Sequence, residues 1–283
     1  MSEHRSEAEE RSAGTSRDVS PPALVALRVA KLSIFFPMWN EEDYIRATVD
    51  AAREVCGHML AESEIGDYEL LIVDDASTDA TGAIADALAA ADPRVRVVHH
   101  PANRKLGGCI KTGFAHARGD LVLYTDADLP CDLTELRKAC RLLRYYRADI
   151  VTAYRHDRTG EGPRRVVYSW LYNWLITLAF GVHIRDVNFA FKLCRRSLFD
   201  QIELTSEGSF IDAELLIRAQ GLGFRIIQFG VDYFPRSVGV STLSSGTVIA
   251  TILREMLAQA PQLRALRPSG AQSPSTPIVT AQS

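Results

Sequence analysis

The stretch Leu121-Val-Leu-Tyr-Thr-Asp126-Ala-Asp128-Leu129 runs from an uninterrupted apolar segment into two carboxylates one residue apart. Alternate side chains of an extended chain share a face, so Asp126 and Asp128 can converge where a buried strand empties into a loop. Carboxylate oxygens at such a place suit Mg2+ or Mn2+, which keep some waters and complete their shell with substrate phosphates. The same pair would also fit an ordinary solvated turn. Its surroundings decide.

Working outward, short apolar runs alternate with helical patterns between Lys31 and Ile150. Leu32-Ser-Ile-Phe-Phe36, Glu69-Leu-Leu-Ile-Val73, Arg94-Val-Arg-Val-Val98, Asp120-Leu-Val-Leu-Tyr124 and Asp149-Ile-Val-Thr152 read as strands. A helix capped near Asn40 follows the first, and Gly107-Gly108 opens another before the fourth. This alternation predicts βαβ units, a mainly parallel central sheet flanked by helices, and an α/β fold of the Rossmann-like kind. The polar motifs fall repeatedly at carboxyl ends of strands, the edge of an open α/β sheet where ligands bind. Asp74 and Asp75 end the second strand as Asp126 and Asp128 follow the fourth, which a chance turn would not produce.

At 283 residues, with 47% hydrophobic and 24% charged content, the chain can bury one large core. A net charge of -3 argues against a nucleic-acid partner held by phosphate neutralisation. Five cysteines without a CxxC spacing read as reduced, structurally buried thiols in a cytoplasmic protein. Residues 1–23 and 261–283 are polar, Ser- and Pro-containing segments expected to be disordered tails around one domain over 24–260. No apolar core of a secretory signal precedes the domain.

From Val166 to Ile184 no side chain is formally charged, a length that could just cross a bilayer. Ser169, Asn173, Thr177 and His183 interrupt it, and Tyr168, Trp170, Tyr172 and Trp174 crowd it, which favours an interface over a hydrocarbon centre. A span would also separate segments that would serve one site. The stretch is expected to lie on a membrane surface or against a substrate, with a buried core helix as the other reading.

Four motifs then resemble, in order, those of family 2 nucleotide-sugar glycosyltransferases: Phe36-Pro-Met-Trp-Asn-Glu-Glu42, Ile72-Val-Asp-Asp-Ala-Ser-Thr-Asp79, Gly107-Gly-Cys-Ile-Lys-Thr-Gly113 and Thr125-Asp-Ala-Asp-Leu129. The second half is similar to the polyprenyl (dolichyl) phosphate mannosyltransferase and glucosyltransferase branch. That similarity rests on Thr152-Ala-Tyr-Arg155, the run from Arg185 to Arg196, Phe210-Ile-Asp-Ala-Glu214 and the run from Phe234 to Leu243. The resemblance implies a GT-A fold and transfer of a hexose from a GDP-mannose or UDP-glucose type donor to a polyprenyl phosphate, metal-dependent and inverting. It implies that Pro37, Trp39, Glu41, Val73 and Asp75 hold the nucleoside, and that Asp126, Ala127 and Asp128 bind metal and diphosphate. Arg155, Arg165 and Ser169 would face the phosphates of donor and acceptor, and Arg236 would close over them. Trp39 stands where Tyr is usual, Pro130 where Gln is common, and Ser241-Thr242-Leu243 where Ser-Lys-Leu is common. Arg104, Lys105 and Lys111 are candidates to replace the missing Lys.

The acceptor decides whether a base is needed. A hydroxyl must lose a proton, and Asp212 or Glu214 are the candidate bases, unless they only brace the helix that follows. A lipid phosphate, with a second pKa near about 6, is already a nucleophile and needs cations to hold it. Arg165 and Ser169, four apart at the head of the aromatic stretch, would share a helix face there. The phosphate acceptor is therefore favoured, with a membrane surface as partner and cytoplasmic, peripheral placement. An anchoring partner subunit is left open, and the alternatives are a soluble hydroxyl acceptor or a non-catalytic nucleotide-binding protein.

Overall fold

The structure is a computed structural model that describes residues 29–157, 163–234, 246–266 and 279–281, with backbone alone at 163–165, 246–250 and 279–281. In chain order the elements are β1 (Val29–Met38), α1 (Ile45–Ala61), β2 (Ile65–Asp74), α2 (Thr81–Ala91), β3 (Val95–His99), α3 (Lys105–His116) and β4 (Leu121–Thr125). Then come α4 (Glu135–Tyr145), β5 (Ile150–Arg155), α5 (Pro163–Phe180), β6 (Phe191–Arg195), α6 (Ile211–Gly221), β7 (Ile226–Val231), α7 (Gly246–Arg264) and β8 (Val279–Ala281).

All these strands form one sheet in the order β3-β2-β1-β4-β6-β5-β7-β8. Pairing is parallel except where β6 runs antiparallel between β4 and β5. The chain winds outward from β1 to β3 and then returns to β4 on the other side of β1, so the carboxyl ends of β1 and β4 flank a topological switch point. β4 is buried along its whole length, which is why its sequence is apolar without alternation. One core layer joins the sheet to α1, α2 and α4; the other joins it to α3, α5, α6 and α7.

Three expectations shift. Asn40 does not cap α1, which starts at Ile45 after Tyr44; instead its side chain accepts a bond from the Thr78 amide at 2.8 Å, drawn across to the neighbouring loop. β6 was not foreseen, because Phe191-Lys-Leu-Cys-Arg195 is a short run carrying a lysine at its second position. The boundary placed at Pro261 lies inside α7, which continues to Arg264, and Val279–Ala281 adds an edge strand beside β7. Residues 1–23 fall outside the described residues.

Two glycines are required by close packing. A Cβ on Gly107 would stand 2.4 Å from the Ser206 carbonyl oxygen, and one on Gly113 would stand 2.2 Å from the Phe35 ring. Together they let α3 settle against β1 and the 206–207 loop.

Candidate active site

Three strand ends converge at the switch point, and each is followed by a non-glycine residue in the left-handed region. These are Asn40 after β1 (φ 56°), Ala76 after β2 (φ 59°) and Leu129 after β4 (φ 48°). Such conformations persist only where the surroundings over-determine them, and they gather at functional edges.

The loops after β1 and β2 are stapled to each other. The Asn40 amide donates to Ser77 Oγ at 3.0 Å, the Glu41 amide to Thr81 Oγ1 at 2.8 Å, and the Ala80 amide to Glu42 Oε2 at 2.8 Å. Pro37 lies opposite Val73 in the β1–β2 register, Val73 is buried, and Trp39 leaves 52% of its surface exposed beside them. An indole so placed is free to stack on a flat ring.

Asp75 is held rigidly. Its Oδ1 accepts from the Arg104 amide and meets His100 Nδ1, both at 2.7 Å, while His100 Nε2 meets Thr112 Oγ1 at 2.9 Å. Asp75, His100 and Cys109 bring their ligating atoms within 4.8 Å of one another, yet the cluster reads as a hydrogen-bond network. Both imidazole nitrogens are engaged, and burial, with the Asp75 charge beside it, pushes the Cys109 thiol well up, away from the thiolate a metal needs. Asp74 has a structural duty: it accepts from the Ser77 amide at 3.1 Å and pairs with His99 at 2.8 Å.

Asp126 and Asp128 line one cavity of about 210 Å³ together with Pro130, Arg155, Ser169 and Asn188. Between them Ala127 is buried, and its carbonyl accepts from Thr48 of α1, fixing the turn. The Tyr124 hydroxyl reaches toward Asp126 at 3.5 Å. Two oxygen-only side chains on one wall match a hard divalent ion, so the donor set fits Mg2+ or Mn2+.

Arg155, at the end of β5, donates from Nε and Nη2 to the two oxygens of Asp186 at 2.7 and 3.0 Å, and its guanidinium lies over the Tyr233 and Phe189 rings. It borders the cavity, but as half of a buried bidentate pair rather than as an exposed cation. Ser169 lines the same cavity from α5. Arg165 lies in α5 with its side chain outside the described residues, and Arg236 with the Ser241–Leu243 run lies outside them altogether. Arg104 and Lys111 both face Glu207.

α5 has two apolar faces. Tyr168, Leu171, Tyr172 and Leu175 border the cavity opposite Ile252 and Leu253 of α7. Val167, Trp170, Leu171, Trp174 and Leu178 form a helical stripe exposed by 42–69%. Among the described residues no helix is long and apolar enough to cross a membrane.

The candidate bases are both occupied. Glu214 accepts from the Thr205 and Ser206 amides at 2.8 Å each, from the Thr205 hydroxyl at 2.9 Å and from Arg218 at 2.7 Å. Burial alone would raise its pKa, but these donors hold it below the usual glutamate range. Asp212 accepts from Lys192 Nζ at 2.6 Å; burial pushes its carboxyl up while Lys192 pulls it down, with a net upward shift.

Comparison with known proteins fits this geometry. Residues 33–203 match the model of glycosyl transferase family 2. The chain belongs to that family. This glycosyltransferase is 34% identical to glycosyltransferase AglD of Haloferax volcanii over 220 residues, 76% of its own length but 35% of AglD. It is 31% identical to polyprenol monophosphomannose synthase of Mycolicibacterium smegmatis over 229 residues, 76% of its length and 82% of that protein. A crystal structure of glucosyl-3-phosphoglycerate synthase from Mycobacterium tuberculosis, in complex with Mn2+, UDP-glucose and phosphoglyceric acid, superposes with a TM-score of 0.64 at 21% identity. The match covers 88% of this chain and 83% of that one. The GT-A fold of this glycosyltransferase is thereby shown.

Asp186, Asn188, His100 and Lys192 carried no role legible in the sequence. Asp186, Asn188 and Lys192 lie inside the quoted Arg185–Arg196 run, but their partners on β5, α6 and the cavity are remote in sequence. His100, next to the β3 end, carried no motif at all.

Proposed function

We propose that this glycosyltransferase moves a hexose from a GDP-mannose or UDP-glucose type donor to a polyprenyl phosphate, with inversion, using Mg2+ or Mn2+. The observation that carries the reading is the cavity itself: Asp126 and Asp128 stand on its wall, and Leu171, Leu175, Ile252 and Leu253 of α5 and α7 line its apolar side. A charged headgroup and a hydrocarbon tail need that combination.

Asp75, fixed by His100 and the Arg104 amide, presents its carboxylate to the nucleoside, and Trp39, Pro37, Val73 and Glu41 form the wall around it. Asp126 and Asp128 would hold the metal, whose contribution when bound is Lewis-acid neutralisation of the leaving diphosphate. Arg165 and Ser169 would hold the acceptor phosphate and Arg236 would add positive charge at the donor, while Arg155 acts through its Asp186 pair to shape the pocket. A phosphate monoester attacks without a base. Glu214, held by four donors, and Asp212, bound to Lys192, are poor candidates for one, which weighs against a hydroxyl acceptor.

The exposed Trp170–Trp174–Leu178 stripe on α5 supports a peripheral position on the cytoplasmic membrane face, with the lipid tail reaching the cavity from that side. An anchoring subunit covering the stripe is the other arrangement it supports. The test is Leu253→Asp, which sets a charge in the apolar wall. The KM for polyprenyl phosphate should rise at least about tenfold while affinity for the nucleotide sugar stays unchanged. An unchanged acceptor KM refutes the tail path.

A further inference from the structure

Asn188 stands on the loop between α5 and β6, two residues past the Asp186 that grips Arg155. That loop is fixed from several sides. Asn173 of α5 donates to the Arg185 carbonyl at 2.7 Å and accepts from the Val187 amide at 3.3 Å, and buried Lys192 donates to the Phe189 carbonyl at 2.8 Å. Asn188 therefore sits on a rigid support and borders the same cavity as Asp126 and Asp128. Its Oδ1 is buried, with no hydrogen-bond partner among the described residues. Buried amide oxygens are nearly always bonded, so one left open on a cavity wall is a place for water until a group that arrives with the ligand replaces it.

The chemistry of that group is restricted. An amide oxygen accepts and cannot donate, so its partner must be a hydrogen-bond donor or a metal ion, and a metal ion would serve sugar nucleotide and nucleoside diphosphate alike. Diphosphate oxygens and an ionised phosphate monoester bring acceptors only. A hexose brings hydroxyls. The Tyr172 hydroxyl also borders the cavity and has no hydrogen-bond partner among the described residues; burial, with the Asp212 and Glu255 charges, pushes its pKa well up, so it stays protonated and can itself donate.

We infer that Asn188 is a specificity-determining contact of the donor subsite, its Oδ1 accepting a hydrogen bond from a hydroxyl of the transferred hexose. This rests on the glycosyl-transfer reading above. The contact would be absent from the nucleoside diphosphate product, so Asn188 would hold the sugar and not the leaving group.

The test is calorimetric titration of wild type, Asn188→Ala and Asn188→Leu with GDP-mannose, UDP-glucose, GDP and UDP in the presence of Mn2+. For the sugar nucleotide that wild type binds, both variants should weaken affinity about five- to tenfold while the matching nucleoside diphosphate binds within about twofold of wild type. Leu keeps the side-chain volume, so it carries the test if Ala disturbs folding. Equal affinity of variants and wild type for the sugar nucleotide overturns the inference, as does an equal loss for sugar nucleotide and diphosphate, which marks a structural or metal-holding role. A wild type that binds neither sugar nucleotide overturns the donor reading and this inference with it.

Discussion

The Lys192–Asp212 pair separates a structural carboxylate from a catalytic one. Lys192 is 0% and Asp212 3% exposed at the side chain, 2.6 Å apart, with the ammonium also donating to the Phe189 carbonyl. Asp212→Asn leaves a fully buried ammonium facing a neutral amide, and removal of one member of such a pair costs about 3–5 kcal/mol. With a urea m-value of about 3 kcal/mol/M, the midpoint should fall by at least about 1 M. Lys192→Met exposes the opposite imbalance. The Asp212 carboxyl, already raised by burial and by Asp186 against the pull of Lys192, would rise further. A carboxyl raised in the folded state favours folding when protonated, so the Lys192→Met deficit should be full at neutral pH and shrink as pH falls through the raised value toward about 4. The double variant Lys192→Met/Asp212→Leu should recover most of the loss, since two apolar groups replace both charges. Urea unfolding followed by far-ultraviolet circular dichroism measures all three. A loss under about 1 kcal/mol for Asp212→Asn, combined with abolished transfer, would refute the structural role and return Asp212 to the part of general base.

Other perturbations probe different layers. Asp128→Asn should abolish the Mn2+-dependent part of sugar-nucleotide binding in a thermal-shift titration, with the metal-free melting temperature little changed; a retained metal-dependent shift rejects the site. Gly113→Ala forces a Cβ to 2.2 Å from the Phe35 ring and should destabilise by about 1–3 kcal/mol in urea unfolding. Glu214 is held below the usual glutamate range, so its contribution is full above its unfolded pKa of about 4.3 and is lost as pH falls through the folded value. Glu214→Gln should therefore cost stability at neutral pH and flatten the acid limb of a stability-versus-pH profile.

Much of the architecture was legible because strands buried on both faces write themselves as apolar runs. Each of the five predicted strands lies at or within a few residues of β1 to β5, and the motifs at their ends meet at the switch point between β1 and β4. β6 was hidden by Lys192, a charge that a buried strand tolerates only because Asp212 of α6 answers it from across the fold. Asn40 read as a cap because Asn commonly caps helices; the cross-loop bond to Thr78 that claims it depends on the parallel pairing of β1 with β2. The resemblance set Arg155 against the phosphates; the Asp186 that pairs with it was not legible because it stands across α5 in the chain. The Val166–Ile184 stretch was ambiguous from composition, and its double character follows from the described structure, with one face on the cavity and another open.

Where the sugar goes is the deciding question. Incubating the protein with radiolabelled GDP-mannose or UDP-glucose, Mn2+ and polyprenyl phosphate, and then partitioning between butanol and water, reads that directly. Label is expected in the butanol phase, dependent on both polyprenyl phosphate and metal, and lost in Asp128→Asn. Label that stays in the aqueous phase with polyprenyl phosphate, but moves onto a soluble hydroxyl acceptor, would contradict that expectation.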